Sequence, residues 1–244
     1  MSRILSLFCL LILLGCQPKP TPKQEVKTVV KEPVAATKKL SMIEQKVVEQ
    51  GLIDIQEVDA TLWVDLKYAT TDNFFGENVY GDFTTAYLQK EPAEALKKAH
   101  DLLKKQYPTY RLLVYDAVRP RSVQYILWEK LDSIPPKLRT NYVADPVKGS
   151  IHNYGCAVDL TIYDTEAKQP LDMGTPFDYF GYLAYPRKEN ELLANGSLTE
   201  QQVNHRKILR QVMQAAGYEP ITSEWWHFNY HSRKVANRKY KIVE

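Results

Sequence analysis

Two histidines sit in company that could hold a metal. Ser150-Ile-His152-Asn-Tyr-Gly155-Cys-Ala157-Val-Asp159 puts a His at the mouth of a strand and an Asp within it. Further on, Glu224-Trp-Trp226-His227 puts a carboxylate three residues before a second His. His152, Asp159 and His227 make an N/N/O set, which on tetrahedral zinc leaves a fourth position open for water. The spacing is not the helical H-E-x-x-H pattern. Two His and two acids also form plain hydrogen-bonded networks, so the residues alone leave both readings standing.

These side chains need elements to carry them. Ser41-x-x-Glu44 is a capping box before a short helix that Gly51 closes. Leu62 to Tyr68 alternates apolar and polar and reads as a strand, and residues 70–81 read as a loop. Pro92 opens a helix to about Lys105 with Leu96, Ala99, Leu102 and Leu103 as its inner stripe, beside which His100 reads as a partly buried helix residue. Arg111–Val118 is a strand broken by Arg119-Pro120, and a helix follows from about Ser122 to Leu131. Cys156–Tyr163 is a strong strand, and 174–195 an irregular, aromatic-rich loop. Thr199–Ala216 is a helix stopped by Gly217, with His205 on its solvated face, and Glu224–Tyr230 is a last strand. Strands separated by helices, without a βαβ rhythm or a glycine-rich phosphate loop, indicate an α+β domain.

Composition narrows the class. With 44% hydrophobic, 25% charged and 11% aromatic residues in 244, the chain is neither disordered, collagenous nor a polytopic membrane protein. The net charge of +3 belongs to the N-terminal tail, because residues 17–40 hold six Lys against two Glu and residues 41–244 come to about −2. No nucleic-acid partner is expected from so dispersed a charge.

Residues 1–16 combine an early Arg, an uncharged run from Ile4 to Leu14, and Gly15-Cys16. The run matches a secretory signal and is too short to span a bilayer, which needs roughly 20 residues. Leu13-Leu14-Gly15-Cys16 resembles the lipobox of bacterial lipoproteins, which implies cleavage before Cys16 and lipid on its thiol. The expected organisation is a lipoprotein signal peptide over 1–15, a lipidated Cys16 with a disordered linker to 40, and a single domain over 41–244. Cys156 is then the last free thiol, and no disulfide forms within the chain.

Five ordered blocks carry a wider resemblance: DLKYATTDNFFG (65–76), YDAVRP (115–120), SIHNYGCAVDLTIY (150–163), LDMGTPFD (171–178) and SEWWHF (223–228). Together they resemble the zinc D-Ala-D-Ala peptidase family, which shares its fold with hedgehog-like domains, and more narrowly its VanX-type D-alanyl-D-alanine dipeptidases. The resemblance implies a central, mostly antiparallel sheet flanked by helices. It implies one Zn2+ per chain on His152, Asp159 and His227, with Glu224 as catalytic base and Arg119 facing the reacting carbonyl. Read without the resemblance, Arg119 is a surface residue at a helix start. Asp178 matches the family position that could take the substrate ammonium, against a purely structural Asp, and Asp72 is a weaker candidate. Ser150 is expected to support the site by hydrogen bonding, possible substrate contact included. Cys156 alternates away from Asp159 and is a small core residue and not a fourth ligand. His231 lies four residues beyond His227 and is read as a non-ligand.

The expected activity is hydrolysis of D-Ala-D-Ala to two D-Ala. A D,D-carboxypeptidase or an L-Ala-D-Glu type endopeptidase on peptidoglycan stems is the alternative, and a non-catalytic zinc-stabilised envelope-binding module the third reading. Glu224 and Arg119 speak against the third, because a structural site needs neither. The export signature points to dipeptide released outside the inner membrane, for wall turnover or D-Ala salvage, by a membrane-anchored lipoprotein of the cell envelope.

Overall fold

The structure, a computed structural model, describes residues 40–244; the expectations for residues 1–15, for Cys16 and for most of the linker lie outside the described residues. The chain enters through α1 (Met42–Glu49), whose capping box forms as expected: the Ser41 hydroxyl accepts from the Glu44 N–H and the Glu44 carboxylate accepts from the Ser41 N–H. A small hairpin-like sheet pairs β1 (Ile53–Asp54) with β3 (Tyr87–Leu88), and α2 (Ile55–Val58) and β2 (Trp63–Val64) lie between them.

The main sheet has six strands. Its path is β2, β4 (Tyr110–Asp116), β5 (Ala157–Asp164), β8 (His227–Asn229) and β7 (Glu219–Pro220), with β6 (Gln169–Pro170) also on β5. Only β2 against β4 is parallel, so the sheet is mostly antiparallel and the domain α+β, as anticipated. Helices α3 (Lys90–Gln106), α4 (Arg121–Glu129), α5 (Pro136–Arg139), α6 (Glu189–Ala194), α7 (Glu200–Ala215) and α8 (Arg233–Lys239) complete the order. Among the described residues no helix is long and apolar enough to cross a membrane.

The two central strands are buried on both faces, which is why β4 and β5 read as near-continuous apolar runs. Val158, Leu160 and Ile162 join Leu112 and Val114 in the main core with Leu96, Ala99 and Leu103 of α3 and Leu209, Val212 and Met213 of α7. The other face gathers Leu113, Tyr115 and Tyr163 against Trp63 and Phe177. Asp159 and Thr161 alternate onto this second face, away from the helices.

Several boundaries differ from the sequence reading. Leu62–Tyr68 is a strand only at Trp63–Val64, and Lys67–Ala69 is a 3₁₀ turn. The 174–195 stretch is not wholly irregular, since it holds 3₁₀ turns at Tyr182–Ala184 and Pro186–Lys188 and then α6. The last strand covers three residues and not seven.

Candidate active site

Strand register assembles most of the site. A bulge between Val114 and Asp116 inserts Tyr115, so Asp116 and not Tyr115 comes opposite Asp159. On the other side Asp159 pairs with His227. Asp116, Asp159 and His227 therefore form one row across three strands, where directly opposed side chains touch. His152 arrives from a 3₁₀ turn, His152–Tyr154, that runs into β5. Gly155 makes that entry possible: its φ is +65°, and a Cβ there would lie 2.6 Å from Leu52 Cδ2 and 3.3 Å from the Gln89 backbone nitrogen.

Among the described residues, one group converges as metal ligands do: His152, Asp159 and His227. His152 Nε2 stands 3.1 Å from His227 Nδ1 and 3.4 Å from Asp159 Oδ1, and His227 Nδ1 stands 2.9 Å from Asp159 Oδ1. Donors at ~2.0–2.1 Å from a tetrahedral zinc would stand about 3.3 Å from one another, so this spacing fits the ion. The far side of each ring is also fixed. His152 Nδ1–H donates to the Ala117 carbonyl at 2.7 Å, and His227 Nε2–H donates to Asn229 Oδ1 at 3.0 Å. In the neutral ring each outer partner sets the tautomer that turns a lone pair inward, as a bound cation requires. A proton can bridge only two of the three converging donors, whereas one cation satisfies all three.

The charges agree. Burial opposes an ionised Asp159, but the two imidazoles outweigh it and hold the carboxyl far below its usual range. Burial likewise opposes a charged His227, and Asp159 outweighs it to hold this imidazole up at about 9.

Arg119 is buried beside this row. Its Nε and Nη2 donate to Asp116 Oδ2 at 3.0 and 2.5 Å, and its Nη1 donates to Gln124 Oε1 at 3.2 Å. A guanidinium has five N–H groups. Two remain beyond these bonds among the described residues, in the same cleft as the triad. Burial works against its charge, but Asp116 outweighs it and raises the group further. Asp116 Oδ1 accepts from Tyr80 Oη at 2.5 Å, and Gln124 donates on to the Ala144 carbonyl at 2.8 Å. Arg119 is therefore no surface residue but a cation locked in place.

Glu224 lies 3.9 Å from His227 Nδ1, with its side chain 36% exposed to the cleft. Burial, with Asp159 adding to it, lifts this carboxyl above its ordinary range. Asp178 is half-buried and accepts from Tyr68 Oη at 2.7 Å. Burial, with the neighbouring Asp159 and Glu224 charges adding to it, pushes its carboxyl well up. Ser150 Oγ accepts from the His152 backbone N–H at 3.3 Å and lines the cleft.

The remaining candidates lie elsewhere. Asp72 pairs with Lys67 at 2.5 Å. Cys156 is fully buried, burial pushes its thiol up to about 12, and it is not among the converging ligands. His100 bonds Asp59, and His231 faces Glu91 at 3.3 Å. His205 is buried, contrary to the solvated face expected for it, because its Nδ1 donates to the Asp172 carbonyl at 2.8 Å. Tyr68, Asp116, Gln124 and Asn229 were not singled out as site residues. The first two lie in the DLKYATTDNFFG and YDAVRP blocks, the only signal that could have found them.

The triad, Arg119, Ser150, Asp178 and Glu224 line one cleft of about 820 Å³. Its walls are the 140–144 segment and the 178–182 segment, with Tyr142 against Phe180 at 4.9 Å.

The D-ala-D-ala dipeptidase family matches residues 48–243 of the chain. The D-alanyl-D-alanine dipeptidase of Escherichia coli is 33% identical over 177 residues, which covers 72% of this chain and 83% of that one. Its counterpart in Enterococcus faecium is 32% identical over 193 residues, covering 74% and 91%. Among solved structures, the LD-carboxypeptidase LdcB aligns over 62% of this chain and 63% of its own at 22% identity, with a TM-score of 0.39.

Proposed function

The chain belongs to the D-ala-D-ala dipeptidase family of metallopeptidases, and on that footing we propose that it hydrolyses the free dipeptide D-Ala-D-Ala to two D-Ala with one zinc ion. The observation that carries this reading is the spacing of the three donor atoms of His152, Asp159 and His227, with Glu224 and Arg119 in the same cleft. Zinc held there supplies a Lewis acid and lowers the pKa of a water from ~16 towards ~7.

The protein's own groups do the rest. Glu224 takes a proton from the attacking water as its oxygen bonds to the scissile carbonyl carbon, and gives that proton to the amine nitrogen as the C–N bond breaks. Arg119 aims its two remaining N–H groups at the carbonyl oxygen as negative charge grows there. Asp178 accepts the substrate ammonium, and Ser150 holds the backbone of His152.

The cleft favours a second reading. A dipeptide has about eleven non-hydrogen atoms, whereas a cavity of several hundred Å³ suits a drug-sized ligand. The 820 Å³ cleft has room for a peptidoglycan stem, and with it D,D-carboxypeptidase or L-Ala-D-Glu endopeptidase action. The deciding experiment follows D-Ala release from D-Ala-D-Ala and N-acetyl-D-Ala-D-Ala by the purified, zinc-quantified protein. Fast release from the free dipeptide alone is expected, and comparable release from both moves the assignment to carboxypeptidase. Glu224→Gln should keep its zinc and lose about 10²–10⁴ in turnover. No release from a zinc-loaded protein leaves the binding-module reading.

We place the enzyme outside the inner membrane, anchored through lipid on Cys16, and its role in wall turnover or D-Ala salvage. The support is the basic start, the apolar run and the Leu-Leu-Gly-Cys ending. Mass spectrometry of the mature protein should find a diacylated Cys16 at its N-terminus, and Cys16→Ser should abolish this. A mature soluble protein that retains Met1 would sink the proposal.

A further inference from the structure

Helix α7 carries a charged side chain where a helix packed on a core would be expected to carry an apolar one. Arg206 is fully buried. Its Nε donates to the Met173 carbonyl at 2.7 Å and its Nη2 to the Leu183 carbonyl at 2.8 Å. Nη1 lies 3.7 Å from Glu189 Oε1, and the Glu189 carboxylate is itself gripped by Arg210 at 2.9 and 2.6 Å. Burial pulls the Arg206 guanidinium down to about 10, which still leaves it charged at neutral pH. An apolar side chain would fill this space without the desolvation a buried charge suffers. What the arginine adds is a pair of fixed bonds to two carbonyls ten residues apart.

Those two carbonyls bound the loop that contains Asp178. Neighbouring residues of α7 hold the same loop at its start, where Gln202 Nε2 donates to Asp172 Oδ2 and His205 to the Asp172 carbonyl, both at 2.8 Å. Near its middle, Asp178 has φ +56°, in the left-handed region that Asp enters more readily than most residues with a Cβ. The outer part of the loop is exposed, Phe180 at 40% and Tyr182 at 68%. Between its ends the loop is also held where Trp225 Nε1 donates to Thr175 Oγ1 at 2.8 Å and where Tyr68 Oη donates to Asp178 at 2.7 Å, so Arg206 fixes the two ends that these bonds lie between.

We infer that Arg206 is a positioning residue for substrate selection: by clamping both ends of the 173–183 loop it holds the Asp178 carboxylate where a free dipeptide presents its ammonium. The inference rests on the reading of Asp178 as the ammonium partner. Arg206 touches no reacting atom and acts through the loop.

The test compares the whole protein with Arg206→Gln and Gly174→Ala. Gly174 has φ +83°, and a Cβ there would collide with Leu198 Cδ2, just before α7, and lie 3.2 Å from Gln202 Oε1 on it, so alanine disturbs the same loop while Arg206 stays. The readouts are kcat/KM for D-Ala-D-Ala and for N-acetyl-D-Ala-D-Ala, zinc per chain, and chymotryptic cleavage at residues 179–182. A misplacement near 1 Å can lower a rate about 10²-fold, so Arg206→Gln should lose about that on the free dipeptide, mostly through KM, and less than about threefold on the acetylated one. Zinc should stay bound and the loop should become a chymotrypsin site. Gly174→Ala should show the same collapse of selectivity, and it decides the matter if Arg206→Gln does not fold. A parallel fall on both substrates, or unchanged selectivity in a folded variant, overturns the clamp. A wild-type protein that cleaves both substrates equally overturns the ammonium role of Asp178 itself, an outcome separate from failure of the clamp.

Discussion

His100 and His227 are the same side chain in opposite electrostatic settings. His227 has a buried carboxylate against its inward nitrogen and is held up at about 9. His100 is fully buried on α3, with Nδ1 3.2 Å from Asp59 and no hydrogen-bond partner for Nε2 among the described residues. Burial, helped by the Lys104 charge, pulls its imidazole down to about 4 against the pull of Asp59. A proton placed on Nε2 would be a buried N–H without an acceptor, which is the physical reason for the shift. The folded state therefore binds this proton more weakly than the unfolded chain, whose value is near 6.5. The His100 contribution to stability is complete above 6.5, falls as pH drops from 6.5 to 4, and levels off below. Its size is about 3 kcal/mol at ~1.4 kcal/mol per pH unit. Urea unfolding of the wild type and His100→Gln, both in chelator, should show the stability difference shrinking by that amount between pH 7 and pH 4. A difference that stays constant would mean that His100 is protonated in the fold.

At the scale of elements, legibility followed length and periodicity. α3, α7, β4 and β5 were readable because each repeats its apolar pattern long enough to be unambiguous, and the central pair is buried on both sides. The short partners were not. Leu62, Leu66 and Tyr68 are buried as a strand's alternation demands, yet only Trp63 and Val64 find ladder partners on β4 before the chain turns away. Likewise β8 pairs with β5 only from Ala157 to Asp159, so Glu224, Trp225 and Trp226 precede the strand instead of belonging to it. That early stop leaves Glu224 in the cleft, beside His227 and not in the ladder. The types and order of the candidate ligands were visible in the motifs. The residues that orient them were not: Asp116 comes opposite Asp159 only through a bulge, while Asn229 and Gln124, two and five residues from their partners His227 and Arg119, carry no pattern that marks them out from any other polar side chain. Arg206 and His205 were hidden for a related reason. A polar residue on a helix reads as solvated until the loop that covers it is known.

Across the whole molecule, the candidate ligand Asp159 stands on the face of the sheet turned away from α3 and α7, and this determines what removing an ion held there should do. The main core joins α3 and α7 to Val158, Leu160 and Ile162, and none of the three candidate ligands belongs to it. The ion would tie together β5, β8 and the turn at His152, elements already held by strand pairing and by the Arg119 backbone N–H bonded to the His152 carbonyl at 3.1 Å. A small zinc module unfolds when stripped because its ligands are most of its core. A domain of about 200 residues buries enough apolar surface to stand without such a staple. Chelation should therefore abolish activity, leave the far-UV circular dichroism intact and keep a cooperative melt at lower temperature. Zinc at 100 times its Kd stabilises by about 2.7 kcal/mol. With ~2–4 °C per kcal/mol at this size, the melting temperature should fall by about 5–10 °C and recover on adding zinc back. Loss of the far-UV signal on chelation would mean instead that the ion holds the sheet together, and that the face carrying the cleft is not stable by itself.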